Sequence, residues 1–110
     1  MPDAFKREQN RVPDVDTTRG RSVSYEDTSF VAGDSPVVLD VNADLGRNGR
    51  DGYVAVDGVG NITVEVSDDG DTYGGIHTIK KGEVLYLKGM DIDKIRLIWV
   101  SDSSYRVLVL

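Results

Sequence analysis

Short apolar runs separated by turn residues fill the chain from Phe30 to its end, and they constrain the fold more than any other feature of the sequence. The runs are rich in Val, Ile and Leu, and they are bounded by Gly, Asp or Asn. Such regular spacing is typical of all-β sandwiches and barrels, and no stretch shows the period of an amphipathic helix. We therefore predict an all-β fold: a single antiparallel β-sandwich, jelly-roll or Ig-like, with about seven to eight strands.

Seven of the runs are predicted to be strands, and a further strand is expected around residues 23–31. Asn-Gly and Asp-Gly pairs between the runs favour tight hairpin turns, because these residues accept positive φ angles. The seven strands are PVVLDVNA (36–43), GYVAVDG (52–58), NITVEVS (61–67), GIHTIK (75–80), EVLYLK (83–88), KIRLIWV (94–100) and YRVLVL (105–110).

Two of these runs indicate how the sheets are covered. In NITVEVS the isoleucine and the two valines face one way, whereas Thr63 and Glu65 face the other, which predicts a strand with one solvated face. KIRLIWV is apolar on both faces apart from Arg96, as expected of a central strand covered on both sides. Within it, Trp99 is expected to anchor the core, with its indole N–H bound to a polar partner.

The length of 110 residues allows one modest hydrophobic core, so we expect a single folded domain. With no cysteine, disulfides, thiolate metal sites and a Cys nucleophile are excluded. The net charge of −6 disfavours nucleic acid as a partner. No apolar run approaches the roughly 20 residues that span a bilayer, and residues 1–10 lack the apolar segment of a signal peptide. We expect a soluble chain made in the cytoplasm, with neither a membrane partner nor a cofactor.

The N-terminal part of the chain has a different composition. Residues 1–28 contain few large apolar side chains and no lasting periodicity, so we interpret them as an extended arm attached to a β-sandwich domain at 29–110. Such an arm is expected to order against a partner through its apolar and arginine side chains. The candidate partner-binding residues are Phe5, Arg7, Arg11, Val12, Val15, Arg19, Arg21 and Val23.

The segment SDDGDTYGGI (67–76) is either an ion site or a turn. Asp68, Asp69 and Asp71 are weak candidates for calcium, which takes six to eight oxygen ligands. The EF-hand pattern fails, because counting from Asp69 the twelfth position is Lys80 instead of a bidentate Glu. We predict a solvated hairpin tip turned by Asp69-Gly70, with no metal.

No combination of residues indicates catalysis. His77 is the single histidine and has no nucleophile or acid at an interpretable spacing, and no phosphate-binding loop or dinucleotide motif is present. We expect a protein that is not an enzyme. A sugar-stacking platform remains an alternative, although the spread of its aromatic residues over separate strands and loops suits core packing better. Its candidate residues are Tyr53, Tyr73, Tyr86, Trp99 and Tyr105.

The second half of the chain carries a resemblance. The segments ITVEVSDDGDTYGGIHTIKKGEVLYL (62–87) and IDKIRLIWVSDSSYRVLVL (92–110) follow one another as strand, Asp-Gly turn, Lys-Lys-Gly-Glu turn and terminal strand. This order resembles small β-sandwich structural proteins of tailed-phage virions, of the head-decoration and neck or tail accessory types.

The resemblance implies a virion structural protein that is assembled in the host cytoplasm and tethered by its arm to major capsid, neck or tail subunits. A homo-oligomer on the particle is expected. A carbohydrate- or calcium-binding sandwich module is the alternative.

Overall fold

Eight strands form two four-stranded antiparallel sheets in the computed structural model, which describes residues 21–110. The expected all-β sandwich is therefore confirmed. The elements are β1 (Val23–Phe30), a 3-10 turn (Ala32–Asp34), β2 (Val37–Leu39), α1 (Val41–Leu45), β3 (Gly52–Val56), β4 (Ile62–Ser67), β5 (His77–Ile79), β6 (Val84–Tyr86), β7 (Lys94–Trp99) and β8 (Ser103–Val109).

The strand order is β1-β8-β3-β6 in the first sheet and β2-β7-β4-β5 in the second. Every neighbouring pair is antiparallel. β1 and β2 are joined by a short connection along one side of the sandwich, and β5 and β6 are joined by a tight turn in which Glu83 N–H donates to the Lys80 carbonyl at 2.9 Å. Each side of the sandwich therefore carries one edge strand from each sheet.

The core lies between the inward faces of the two sheets. Phe30 and Tyr105 meet edge to face in it, with ring centroids 5.4 Å apart and planes at 88°, a geometry that aromatic pairs favour. The largest fully buried side chains are aliphatic apart from Phe30, as expected where period-2 alternation places every second residue inside. They are Phe30, Val41, Leu45, Val54, Val56, Ile62, Val64, Ile79, Leu87, Ile92, Ile95 and Leu97.

The boundary predicted between arm and domain is wrong by several residues. β1 pairs with β8 from Val23 onward, so residues 23–28 belong to the sandwich and not to an arm. The further strand expected around residues 23–31 is this β1. Residues 1–20 lie outside the part of the chain that the structure describes.

The run 36–43 is also not one strand. β2 stops at Leu39, and α1 follows directly, with the Asp40 carboxylate accepting from the Ala43 N–H at 3.2 Å. Gly46 ends the helix in the left-handed region at φ 86°. An acidic N-cap and a left-handed glycine are the usual ends of a helix, and here they end the strand-like run PVVL and start a helix. Within the described residues no helix is both long and apolar enough to cross a membrane.

Two further expectations about individual strands need correction. β7 is central, between β2 and β4, but it is covered on one face only, because Arg96 and Ile98 are half-buried on its outer face. Trp99 is likewise half-buried and packs at the margin of the core. Its indole N–H does reach a partner, the Asp102 carboxylate, at 2.9 Å.

Candidate interaction surface

The two long sides of the sandwich differ in how they are covered. On the side of β1 and β2, which we call the closed side, α1 packs against β1. The Tyr25 hydroxyl donates to the Asp44 carboxylate at 2.6 Å, and the Arg21 guanidinium donates to the Leu45 carbonyl at 2.7 Å. These bonds hold the helix over the gap between the sheets on the closed side, where Val31 (38%) and Val38 (48%) are the exposed large apolar side chains.

On the side of β5 and β6, the open side, no helix covers the gap between the sheets in the described part of the chain. A groove of about 240 Å³ lies there, lined mainly by Val64, Val66, His77, Leu85, Leu87 and Met90. It continues past Tyr73 and Asp91 into a second hollow of about 370 Å³. Toward the other end it continues past Glu83 and Val84 into a third hollow of about 290 Å³.

Large apolar side chains stand out into water on this side. Tyr86 is 73% exposed, Ile76 65% and Val84 42%. Scattered exposed apolar residues are ordinary, but a cluster of them beside a groove is typical of an interaction surface. The open side is therefore the candidate functional site of this domain.

β6 forms the backbone edge of the open side. Leu87 N–H donates to the Gly52 carbonyl at 2.9 Å, and Glu83 C=O accepts from Val56 N–H at 3.1 Å. In an antiparallel pair successive residues alternate between facing the partner strand and facing away. The peptide groups of Val84 and Tyr86 therefore point away from β3, toward the unpaired edge.

Three lysines flank this edge. Lys80 and Lys81 precede β6, Lys88 follows it, and all three are exposed. None of their ammonium groups forms an ion pair within residues 21–110. Together with Glu83 they give the segment 80–88 a net charge of +2 (three cations and one acid), in a chain whose overall charge is −6. The segment 80–88 is thus a basic stretch on an acidic protein.

Two tyrosines lie next to each other on the outer face of the first sheet. Tyr53 and Tyr86 are cross-strand partners in the β3–β6 pair, and with Val84 and Arg106 they line a shallow hollow of about 250 Å³. The Arg106 guanidinium is held by the Asp57 carboxylate, with N···O distances of 2.6 and 3.0 Å. This bond lowers the pKa of Asp57. The pair was missed from the sequence, because only the β3–β6 register makes Tyr53 and Tyr86 neighbours.

The outer face of the second sheet carries a polar cluster in place of the solvated strand face that was expected. Glu65 is only 8% exposed, and its Oε1 accepts from Arg96 Nε at 2.7 Å and lies 2.6 Å from Arg96 Nη2. The ring of Tyr73 lies under the guanidinium. The charge on Glu65 is therefore paired and shielded by neighbouring side chains.

The acidic loop is a hydrogen-bonded turn. Asp69 Oδ1 accepts from the N–H of Thr72 and of Asp71, each at 2.8 Å, and from the Ser67 hydroxyl at 3.1 Å. These bonds, that of Thr72 first, lower the pKa of Asp69. Gly70 has φ 85°, as the Asp69-Gly70 turn predicts.

The other acids of the loop do not gather into an ion site. Asp68 and Asp71 are exposed, and no group of three or more His, Asp or Glu side chains within residues 21–110 could hold a metal ion. The weak calcium candidates are therefore not brought together as a set of ligands in the described structure.

The single histidine lies at the start of the edge strand β5. His77 is exposed and pairs with Val64 of β4, and its imidazole makes no hydrogen bond or ion pair in the described residues. It lines the groove, and no side chain of residues 21–110 fixes its orientation, as a general base requires.

Two of the proposed partner-binding residues fall in the described structure, and both serve the sandwich itself. Val23 is half-buried against the core, and Arg21 is bound to the end of α1. The others, Phe5, Arg7, Arg11, Val12, Val15 and Arg19, lie outside the described residues.

Comparison with known proteins does not place the chain in a family. No family model matches the chain, and no curated protein matches it. A crystal structure of PirA is similar to it, with 12% sequence identity, 80% of this chain and 82% of that chain covered, and a TM-score of 0.41.

Proposed function

We propose that this chain is a non-enzymatic structural protein of a virion, a capsid decoration or head–tail accessory protein that attaches through its N-terminal segment and the surface of its sandwich. The observation that carries the proposal is the open side, where apolar side chains such as Tyr86 and Ile76 stand in water beside a groove. A surface of this kind suits protein contacts better than it suits chemistry on a small substrate.

The sequence resemblance to tailed-phage β-sandwich proteins supplies the class of particle. Within that class the partners are the major capsid protein or the neck or tail subunits. Attachment by the segment before β1 is supported by its composition, since Arg7 and Arg11 lie between the apolar Phe5 and Val12, and Val15 follows. Such a segment can place apolar side chains in grooves of a partner while its arginines pair with acids.

The test compares the full chain with residues 21–110 during particle assembly. Truncation at residue 21 keeps Arg21 and all of β1, so circular dichroism and the thermal midpoint should match those of the full chain. We expect the truncated chain to be lost from purified particles. Equal copy numbers of the two forms would rule out the N-terminal segment as the attachment.

A variant with three substitutions tests whether the side chains of the N-terminal segment, and not only its length, are needed for attachment. Phe5→Ser with Val12→Ser and Val15→Ser should reduce incorporation as the truncation does. Gln9→Ala with Asn10→Ala, in the same segment, should leave it unchanged.

The Tyr53–Tyr86 pair supports carbohydrate binding as a second candidate. Tyrosine faces beside a polar group such as Arg106 are what a sugar ring stacks on. Binding to a glycan array that is lost in Tyr86→Ala and kept in Tyr86→Phe would favour this function, and absence of binding would remove it.

A further inference from the structure

The first sheet has two free edges that differ in charge. β6 is one edge and β1 is the other, and neither pairs with a second strand in the described structure. Beside β6 the segment 80–88 has a net charge of +2, from Lys80, Lys81 and Lys88 against Glu83. β1 contains Glu26 and Asp27 and no cation, a net charge of −2.

Other groups near β1 keep that edge acidic. Asp44 lies 2.6 Å from the Tyr25 hydroxyl, and Asp34 follows the strand. Arg106 sits opposite Glu26 in the β1–β8 register but is already held by Asp57. Arg21 is bound to the end of α1.

Charged edges normally prevent one copy of a protein from pairing with another. Here the charges repel only like edges: β6 from β6, and β1 from β1. Between β6 of one copy and β1 of the next they attract, which is the pattern that selects one pairing against others.

The strand directions fit the same pairing. Neighbouring strands are antiparallel throughout the order β1-β8-β3-β6, so with four strands β6 runs opposite to β1. A second copy placed alongside in the same orientation therefore presents β1 antiparallel to β6. The outward peptide groups of Val84 and Tyr86 would then meet the regular part of β1, which ends at the register shift after Asp27.

We propose that copies of this chain associate head to tail, with β6 of one copy pairing with β1 of the next and the lysines beside β6 facing the acids of β1. Tyr86 and Val84 become less exposed in this contact. Because the contact joins two different surfaces, it is heterologous, and it builds a ring where the rotation closes and a filament where it does not. It involves only the sandwich, so it holds or fails independently of attachment to a particle.

The test is sedimentation velocity of the full chain over a wide concentration range in low salt. We expect the weight-average mass to rise above the monomer mass of 12.1 kDa as concentration increases, and to fall back when salt screens the charges.

Two variants, each confirmed as folded by circular dichroism, distinguish this contact from non-specific association. Lys81→Glu with Lys88→Glu makes both edges acidic, and Glu26→Lys with Thr28→Lys makes both edges basic. Each variant alone should sediment as a monomer, whereas an equal mixture of the two should associate again. Asp68→Lys with Asp71→Lys, at the tip of the acidic loop, alters the charge away from both edges and should associate like the wild type.

Three results would overturn the proposal. They are a monomer at every concentration in low salt, association that neither pair of substitutions alters, and a dimer that grows no further and depends on the β6 lysines alone.

Discussion

The guanidinium carbon of Arg96 lies 4.0 Å from the ring centroid of Tyr73. The same guanidinium binds Glu65, whose carboxylate has almost no exposure on the outer face of β4. Tyr73 reaches this position because it bridges back to Ser67 after the acidic loop. One cation thus satisfies a buried carboxylate on one side and an aromatic face on the other.

Removing the cation should cost more than removing the pair. Arg96→Met leaves the Glu65 carboxylate buried without a partner, and we expect a loss of about 3 kcal/mol in the free energy of unfolding. The double variant Arg96→Met with Glu65→Leu should fall within about 1 kcal/mol of wild type, since no charge is then buried. Tyr73→Leu should cost only about 0.5–1 kcal/mol. Urea denaturation measures all three, and a double variant as unstable as the single one would contradict the burial argument.

Phe30 should matter more to stability than Trp99. Phe30 is fully buried against Tyr105, so Phe30→Ala should cost about 3–5 kcal/mol. Trp99 is half-buried, and only the buried part of its side chain stabilises the fold. Trp99→Ala should therefore lower the free energy of unfolding by about 2 kcal/mol. Asp102→Ala, which removes the indole partner alone, is the matched control. Equal losses in the free energy of unfolding for Phe30→Ala and Trp99→Ala would show that Trp99 contributes to the core as much as Phe30 does.

The Tyr25–Asp44 bond should make the fold sensitive to alkali. Burial, and then the bond to Asp44, raise the pKa of Tyr25 above its ordinary value. In the unfolded chain the Tyr25 hydroxyl loses its proton near pH 10, whereas in the folded chain it does so at a higher pH. The stability that the protonated hydroxyl contributes is therefore present below about pH 10 and is lost as pH rises further. Tyr25→Phe should therefore show a shallower fall in stability above that pH. Asp44→Asn, which keeps an acceptor without the charge, should lie between the two.

Asp69 should have the opposite pH dependence. Hydrogen bonds from the loop lower its pKa in the folded state, so the stability it contributes is present above about pH 4 and is lost as pH falls. Asp69→Asn should lower the thermal midpoint at neutral pH. On acidification the midpoint of this variant should fall less than that of the wild type. Asp71→Asn, in the same loop, accounts for the loss of one charge and should change neither value much.

Calcium provides an independent check on the same loop. The three hydrogen bonds to Asp69 Oδ1 engage the oxygen that a cation would need, and we expect the midpoint to be equal in EDTA and in millimolar Ca²⁺. A rise of several degrees with Ca²⁺ that Asp69→Asn abolishes would show an ion site instead.

The strands could be predicted well where alternation was strong. The run NITVEVS gave β4 to within one residue, since Ile62, Val64 and Val66 must share the inner face. The helix α1 could not be predicted, because five residues are too few to show a helical period and the β-branched Val37 and Val38 shortly before it favour a strand. Its signals were the capping carboxylate of Asp40 and the left-handed Gly46, which are short-range and easily read as a turn.

The candidate site depended on contacts that a sequence does not record. Glu65 looked solvated because its partners, Arg96 and Tyr73, come from another strand and from a loop. The open side arises from which edge strands share a side of the sandwich, and Tyr53 and Tyr86 become neighbours only through the β3–β6 register. Patterning predicts which residues point inward on one strand, but not which strands meet.

The position of β8 has a consequence for synthesis. β8 lies between β1 and β3. β1, the first strand of this sheet to be synthesised, therefore has no neighbour until β8, the last strand of the sheet, has been made. On the ribosome, β1, β3 and β6 emerge without the element that joins β1 to the others, and their apolar faces stay in water until Val109 has left the exit tunnel. Pairing of β1 with β8 also spans most of the chain, which slows folding relative to local hairpins. Nascent chains of this protein are therefore expected to engage chaperones until β8 is available, and to become protease-resistant in a single step once β8 has left the exit tunnel.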